Sequence, residues 1–149
     1  MIVNEMHLKI AAKSENESFA RSTVAAFCLP LKPSVSEIND IKTAVSEAVT
    51  NCVVHAYKDC EGYVEIYVTL SDDGRVHIEI SDRGSGIENV EKALEPFFTT
   101  KPEQERSGMG FTIMQTFMDF MSVESVKDCG TKVVMEKKIA ASEKGAVNA

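Results

Sequence analysis

The stretch VEIYVTLSDDGRVHIEISDRGSG, residues 64–86, decides the fold class. Val64, Ile66, Val68 and Leu70 alternate with Glu65, Tyr67 and Thr69, and after Asp73-Gly74 the alternation resumes at Val76, Ile78 and Ile80. A period of two puts every one of these apolar side chains on the same pleated face, and an Asp-Gly pair suits a tight turn. The stretch therefore predicts a β-hairpin with one buried face. Such a face needs a second layer to bury it, and the sequence on both sides supplies helices.

Toward the N-terminus, Met6, Leu8 and Ile10 alternate with polar residues and predict a strand. Ser14 with Glu17 reads as a capping box opening a helix whose apolar face is Phe19, Thr23, Ala26 and Phe27, ended by Pro30 and Pro33. Ser34 with Glu37 opens a longer helix with the stripe Ile38, Ile41, Val45, Ala48, Val49 and Cys52. Toward the C-terminus come a short helix near 88–94, an aperiodic loop over 98–110, and a helix marked by Phe111, Met114, Phe117, Met118 and Met121. A closing hairpin follows, 123–126 and 131–139, around Asp128-Cys129-Gly130. Helices in blocks and strands in hairpins predict an α+β two-layer sandwich: a mixed, mostly antiparallel sheet with helices on one face. One domain over 1–149 is expected, with a disordered tail from about 140.

The 149 residues carry a net charge of −7, which argues against non-specific binding to a nucleic-acid backbone. No apolar run reaches the length of a membrane span and no basic-then-apolar leader opens the chain, so a cytoplasmic location is expected. Cys28, Cys52, Cys60 and Cys129 form no C-x-x-C pair and read as buried free thiols. His7 and His77 fall at outward strand positions and read as exposed.

Three clusters carry chemistry. At about 100° per residue, Glu47 lies roughly opposite Ile38, with Asn51 and His55 one and two turns further on. A carboxylate, a carboxamide and an imidazole thus form a ladder away from the core. Next, Asp82-Arg83-Gly84-Ser85-Gly86 follows a strand directly. An aspartate there can accept from an amine, and the glycines permit close approach. Third, Arg106-Ser107-Gly108-Met109-Gly110 precedes a helix, where bare N–H groups and the helix dipole suit phosphate, and Lys101 and Arg106 flank the loop. Each cluster alone has an ordinary explanation: a solvated face, an Asx turn, a glycine-punctuated helix start.

In this order the three clusters resemble the N, G1 and G2 boxes of the gyrase–Hsp90–histidine-kinase–MutL superfamily, over residues 4–139. Glu47-Ala48-Val49-Thr50-Asn51, His55-Ala56-Tyr57, Phe97-Phe98-Thr99-Thr100-Lys101-Pro102 and Ser107-Gly108-Met109-Gly110-Phe111 narrow the resemblance to the small serine-kinase anti-sigma branch, of sporulation type. The resemblance implies a Bergerat-type ATP-binding fold and an anti-sigma factor. Such a factor inhibits a sporulation sigma factor and phosphorylates a serine of its anti-anti-sigma antagonist. It implies Glu47 as catalytic base, Asn51 as the ligand of Mg²⁺ on ATP, and His55 as a phosphate contact. It implies Asp82 as the partner of the adenine amine, supported by Thr131, and Gly84 and Gly86 as room for the base. Lys101, Arg106, Ser107, Gly108, Met109 and Gly110 would hold the phosphates, and the protein would be a homodimer through its sheets. Arg21, placed toward solvent by the helical step, would touch partners. The alternatives are an anti-sigma kinase of the general stress-response branch and a non-catalytic, nucleotide-gated sigma-binding module. A histidine-kinase domain or a gyrase- or MutL-type ATPase would need a phospho-acceptor helix or a transducer domain, for which the sequence leaves no residues.

Overall fold

The structure, a computed structural model, describes residues 1–57, 61–87, 89–95 and 110–140. Strand β1 (Ile2–Ala11) is followed by α1 (Glu17–Cys28) and α2 (Val35–Asn51). The central hairpin is β2 (Tyr63–Ser71) and β3 (Arg75–Asp82); α3 (Val90–Ala93), α4 (Gly110–Phe117) and the hairpin β4 (Phe120–Val126) and β5 (Gly130–Lys138) complete the described elements. The strands pair in the order β1-β2-β3-β5-β4. Every pairing among the described residues is antiparallel.

The alternation of residues 64–80 acts as expected. Val64, Ile66, Val68, Leu70, Val76, Ile78 and Ile80 are all buried, each side chain contributing about 1.5–3 kcal/mol. Register extends them into rows across the sheet. Leu8 lies opposite Ile66, Ile66 opposite Ile80, Ile80 opposite Val133, and Val133 opposite Val123. The α2 stripe of Ile41, Val45, Ala48 and Val49 covers this face, with α1 and α4 packed on either side of α2. The α2 start is a full capping box: Ser34 Oγ accepts from Glu37 N at 3.0 Å, and Glu37 Oε1 accepts from Ser34 N at 2.8 Å.

Several expectations need correction. Ser14 forms no box with Glu17, because 14–16 is a single 3₁₀ turn. Asn16 Nδ2 instead donates back to Ala11 O, and the Glu17 carboxylate accepts from Arg21. The buried face of α1 is Ala20, Val24, Ala25 and Cys28, where small side chains let α1 and α2 approach; Phe19 is 54% exposed. The third helix stops at Phe117, so Met121 lies on β4, although Met114 and Met118 are core. The break is held by Lys137 Nζ donating to Phe117 O and by Asp119 N donating to Glu136 O. Cys28 and Cys52 are buried, and burial pushes the Cys28 thiol up to about 12, but Cys129 is exposed at a turn; Cys60 lies outside the described residues. His77 is not simply exposed, since both ring nitrogens meet carboxylates.

Candidate active site

The apolar rows end abruptly at one end of the sheet. The next row on the helix-facing side is Asp82, Thr131 and Ser125, side by side on β3, β5 and β4. Above it α2 passes into a π-helical turn, Cys52–Ala56, a feature frequent at functional sites. The wider turn takes His55 out of the strict four-residue ladder expected on α2. Between the π-turn, this row, the 85–87 loop, α3 and the start of α4 lies a cavity of about 860 Å³. That is the size of a small-molecule site. Asn51, His55, Asp82, Gly86, Gly110 and Thr131 all line it.

Asp82 is the half-buried charge at the floor. Burial raises its pKa, against the N–H groups of Gly84 and Thr131 and the Cys52 thiol, which favour the carboxylate. The Gly84 N–H donates to Asp82 Oδ1 at 2.9 Å. The Cys52 thiol is itself pushed well up, by burial first and then by the neighbouring Asp82 charge, so it stays protonated. At the other end, Glu47 and Asn51 converge. A Cβ on Gly110 would lie 3.3 Å from Glu47 Oε2 and 3.3 Å from Asn51 Oδ1. Glu47 does not line the cavity itself; it borders the end formed by Gly110. Any side chain at 110 would crowd both groups, which would have to give by a few tenths of an ångström to admit it.

The chain matches the histidine kinase-like ATPase domain family over residues 10–137. It belongs to that family. Its similarity to the family's anti-sigma F factors is close. It is 54% identical to that of Clostridium acetobutylicum, covering 96% of this chain and 99% of the relative. It is 57% identical to that of Caldanaerobacter subterraneus subsp. tengcongensis, covering 91% and 94%, and 56% identical to that of Geobacillus thermodenitrificans, covering 94% and 96%. Among solved structures, the RsbU and RsbW domains of Rv1364c from Mycobacterium tuberculosis superpose with a TM-score of 0.67 at 18% identity, over 92% of this chain and 33% of that one. The mycobacterial sensor histidine kinase MprB gives 0.58 at 15% identity, over 89% and 98%. Both share the α+β architecture.

Within this histidine kinase-like ATPase fold, the sequence-predicted residues divide in three ways. Glu47, Asn51, His55, Asp82, Gly86, Gly110 and Thr131 gather in or beside the cavity. Gly84 does not line it. Added Cβ atoms show why glycine stands at 84 and 86: one at Gly84 would lie 2.2 Å from Ala56 O, and one at Gly86, where φ is +72°, would lie 2.2 Å from Val126 O. The room these glycines make is for the chain's own backbone. Arg21 stands on α1, apart from the cavity, paired with Glu17 at 2.8 Å. Lys101, Arg106, Ser107, Gly108 and Met109 lie outside the described residues.

Sequence reasoning missed the residues that brace the site. Ser85 straps the π-turn: its N donates to Ala56 O at 2.7 Å and its Oγ to His55 O at 3.1 Å. Tyr57 OH accepts from Arg83 N at 2.8 Å and donates to Tyr63 O at 2.7 Å, tying the same turn to β2 and β3. Cys52 reads as an inert thiol in sequence, yet it stands close enough to Asp82 for each to shift the other's titration. Position 85 inside the glycine motif and Tyr57 in the His55-Ala56-Tyr57 stretch were available signals; Cys52 carries none without the fold.

Proposed function

We propose that the protein is an anti-sigma factor that binds and inhibits a sporulation sigma factor and uses ATP to phosphorylate a serine of an anti-anti-sigma antagonist. The observation that carries the kinase reading is the convergence of Glu47 and Asn51 on Gly110, at one end of a cavity whose other end holds Asp82. The near-full-length identity to anti-sigma F factors supports the partner classes.

In this reading Asp82 accepts from the 6-amino group of adenine, with Thr131 beside it, and His55 faces the nucleotide from the π-turn. Asn51 offers an amide oxygen, a hard ligand suited to Mg²⁺. The described residues contain no group of three or more His, Cys, Asp or Glu arranged for a metal, so the phosphates would complete the coordination. The metal's contribution when bound is charge neutralisation on the phosphates. Glu47 takes the proton of the substrate serine as its Oγ bonds to the γ-phosphorus and the β–γ bridging bond breaks, leaving ADP. Lys101, Arg106, Ser107, Gly108 and Met109 enter as phosphate contacts on the strength of their sequence alone. We also assign to the protein a homodimer, a cytoplasmic location, a single domain and, at Arg21, a partner contact.

The test is phosphoryl transfer from labelled ATP to a serine-bearing antagonist. Glu47→Gln should lower transfer by roughly 10²–10⁴-fold while ATP binding stays nearly unchanged. The amide keeps the shape and cannot take the proton. Normal turnover in that variant would remove Glu47 from the role of base.

A further inference from the structure

The polar row whose Asp82 and Thr131 line the cavity continues to a third residue, which does not line it and has no role so far. Ser125 lies opposite Thr131 on the helix-facing side of the sheet, and Thr131 lies opposite Asp82. Ser125 Oγ has three close partners: Ile87 N donates to it at 2.6 Å, it donates to Gly130 O at 3.0 Å, and Thr131 Oγ1 stands at 2.8 Å. A hydroxyl has one proton and two lone pairs. A carbonyl oxygen only accepts, so the Ser125 proton belongs to Gly130 O. Were it turned to Thr131, two acceptor oxygens would face each other at 3.0 Å with no proton between them. With that proton spent, the Thr131–Ser125 contact needs the proton of Thr131. Ser125 is then saturated, and Thr131 has no proton left for a ligand.

We propose that Ser125 is a specificity-determining positioning residue: by taking the Thr131 proton it turns Thr131 Oγ1 into an acceptor beside the Asp82 carboxylate. The proposal rests on the nucleotide reading of the cavity. Two neighbouring acceptors match the two hydrogens of an exocyclic amine, as at position 6 of adenine. A 6-oxo purine brings a carbonyl to the same place and meets two acceptors and no donor. Ser125 itself touches no nucleotide; it acts through Thr131.

The experiment measures ATP and ITP binding by calorimetry. ITP differs from ATP in carrying a 6-oxo group and a ring N–H in place of the 6-amino group. Ser125→Ala frees the Thr131 hydroxyl to donate to that oxygen. The ATP-over-ITP preference should narrow by about five-fold, the worth of one ordinary hydrogen bond. Ser125→Thr, which keeps the hydroxyl, should retain the preference. Thr131→Val leaves the Ser125 bonds to Ile87 and Gly130 in place and should narrow the preference by itself, and adding Ser125→Ala to it should narrow it no further. A purely structural role would lower both affinities together at constant ratio, and that outcome would overturn the proposal. Failure of the unaltered protein to bind ATP would overturn the nucleotide reading as well. An unchanged preference in Ser125→Ala on top of normal ATP binding would overturn this inference alone.

Discussion

Asp82 shows how one residue serves fold and site together. Its Oδ1 accepts from the Gly84 N–H to shape the turn after β3, while the carboxylate faces the cavity. In Asp82→Asn the amide oxygen stays committed to Gly84, so the amide nitrogen replaces the second oxygen and presents donors to a donor. Loss of a charge-assisted hydrogen bond costs about 1.5–3 kcal/mol. ATP affinity should therefore fall by roughly 10- to 150-fold in calorimetry, and GTP affinity by much less, since guanine offers a carbonyl there. Unchanged ATP affinity would place the adenine elsewhere. Gly110 is the same lesson beside Glu47 and Asn51, where the first turn of α4 leaves little space for a side chain between the two groups.

The sheet supplies a different prediction. On its outer face His77 lies between Glu136 and Glu79, with both contacts at 2.8 Å. Carboxylates only accept, so both ring nitrogens must donate and the bound form is the imidazolium. Partial burial pulls the His77 pKa down, but the hydrogen bonds to Glu136 and Glu79 and their charges outweigh it, and the net shift is upward from 6.5. Glu79 is lowered from 4.5, chiefly by its bond to His77. A raised histidine stabilises fully below its unfolded value and loses that contribution as pH rises through the folded value. The lowered glutamate stabilises above its unfolded value and loses it as pH falls. The His77–Glu79 pair is thus most stabilising between 4.5 and 6.5. In urea melts, the stability gap between the unaltered protein and His77→Asn should be widest there and close toward alkaline pH. A gap independent of pH would remove the imidazolium.

At the scale of the whole molecule, the proposed cycle demands that partner choice depend on nucleotide. Lys101 and Arg106, outside the described residues, stand in sequence just before α4 and suit a γ-phosphate. Hydrolysis or transfer removes the charge they would hold, so the ATP and ADP forms should present different surfaces. ATP should favour the sigma-bound state, and ADP a lingering complex with the unphosphorylated antagonist. Measuring both affinities with an ATP analogue and with ADP, then repeating with Lys101→Ala and Arg106→Ala, decides the matter. Equal affinities in the two nucleotide states would remove the switch even where kinase activity remains.

Local patterns along the chain specify the central hairpin, the capping box at Ser34, the α2 stripe and the order of the three motifs. All are local: alternation, caps and turn residues act within a few positions, and their signals survive in one dimension. The phase of α1 and the end of α4 were not legible, because both depend on which neighbour each element meets. Small residues won the α1 interface over Phe19, and Lys137 and Glu136, from a distant strand, helped fix where α4 stops. Only the tertiary structure placed Ser125 beside Thr131 and Thr131 beside Asp82. Strand register sets those neighbours across residues far apart in sequence.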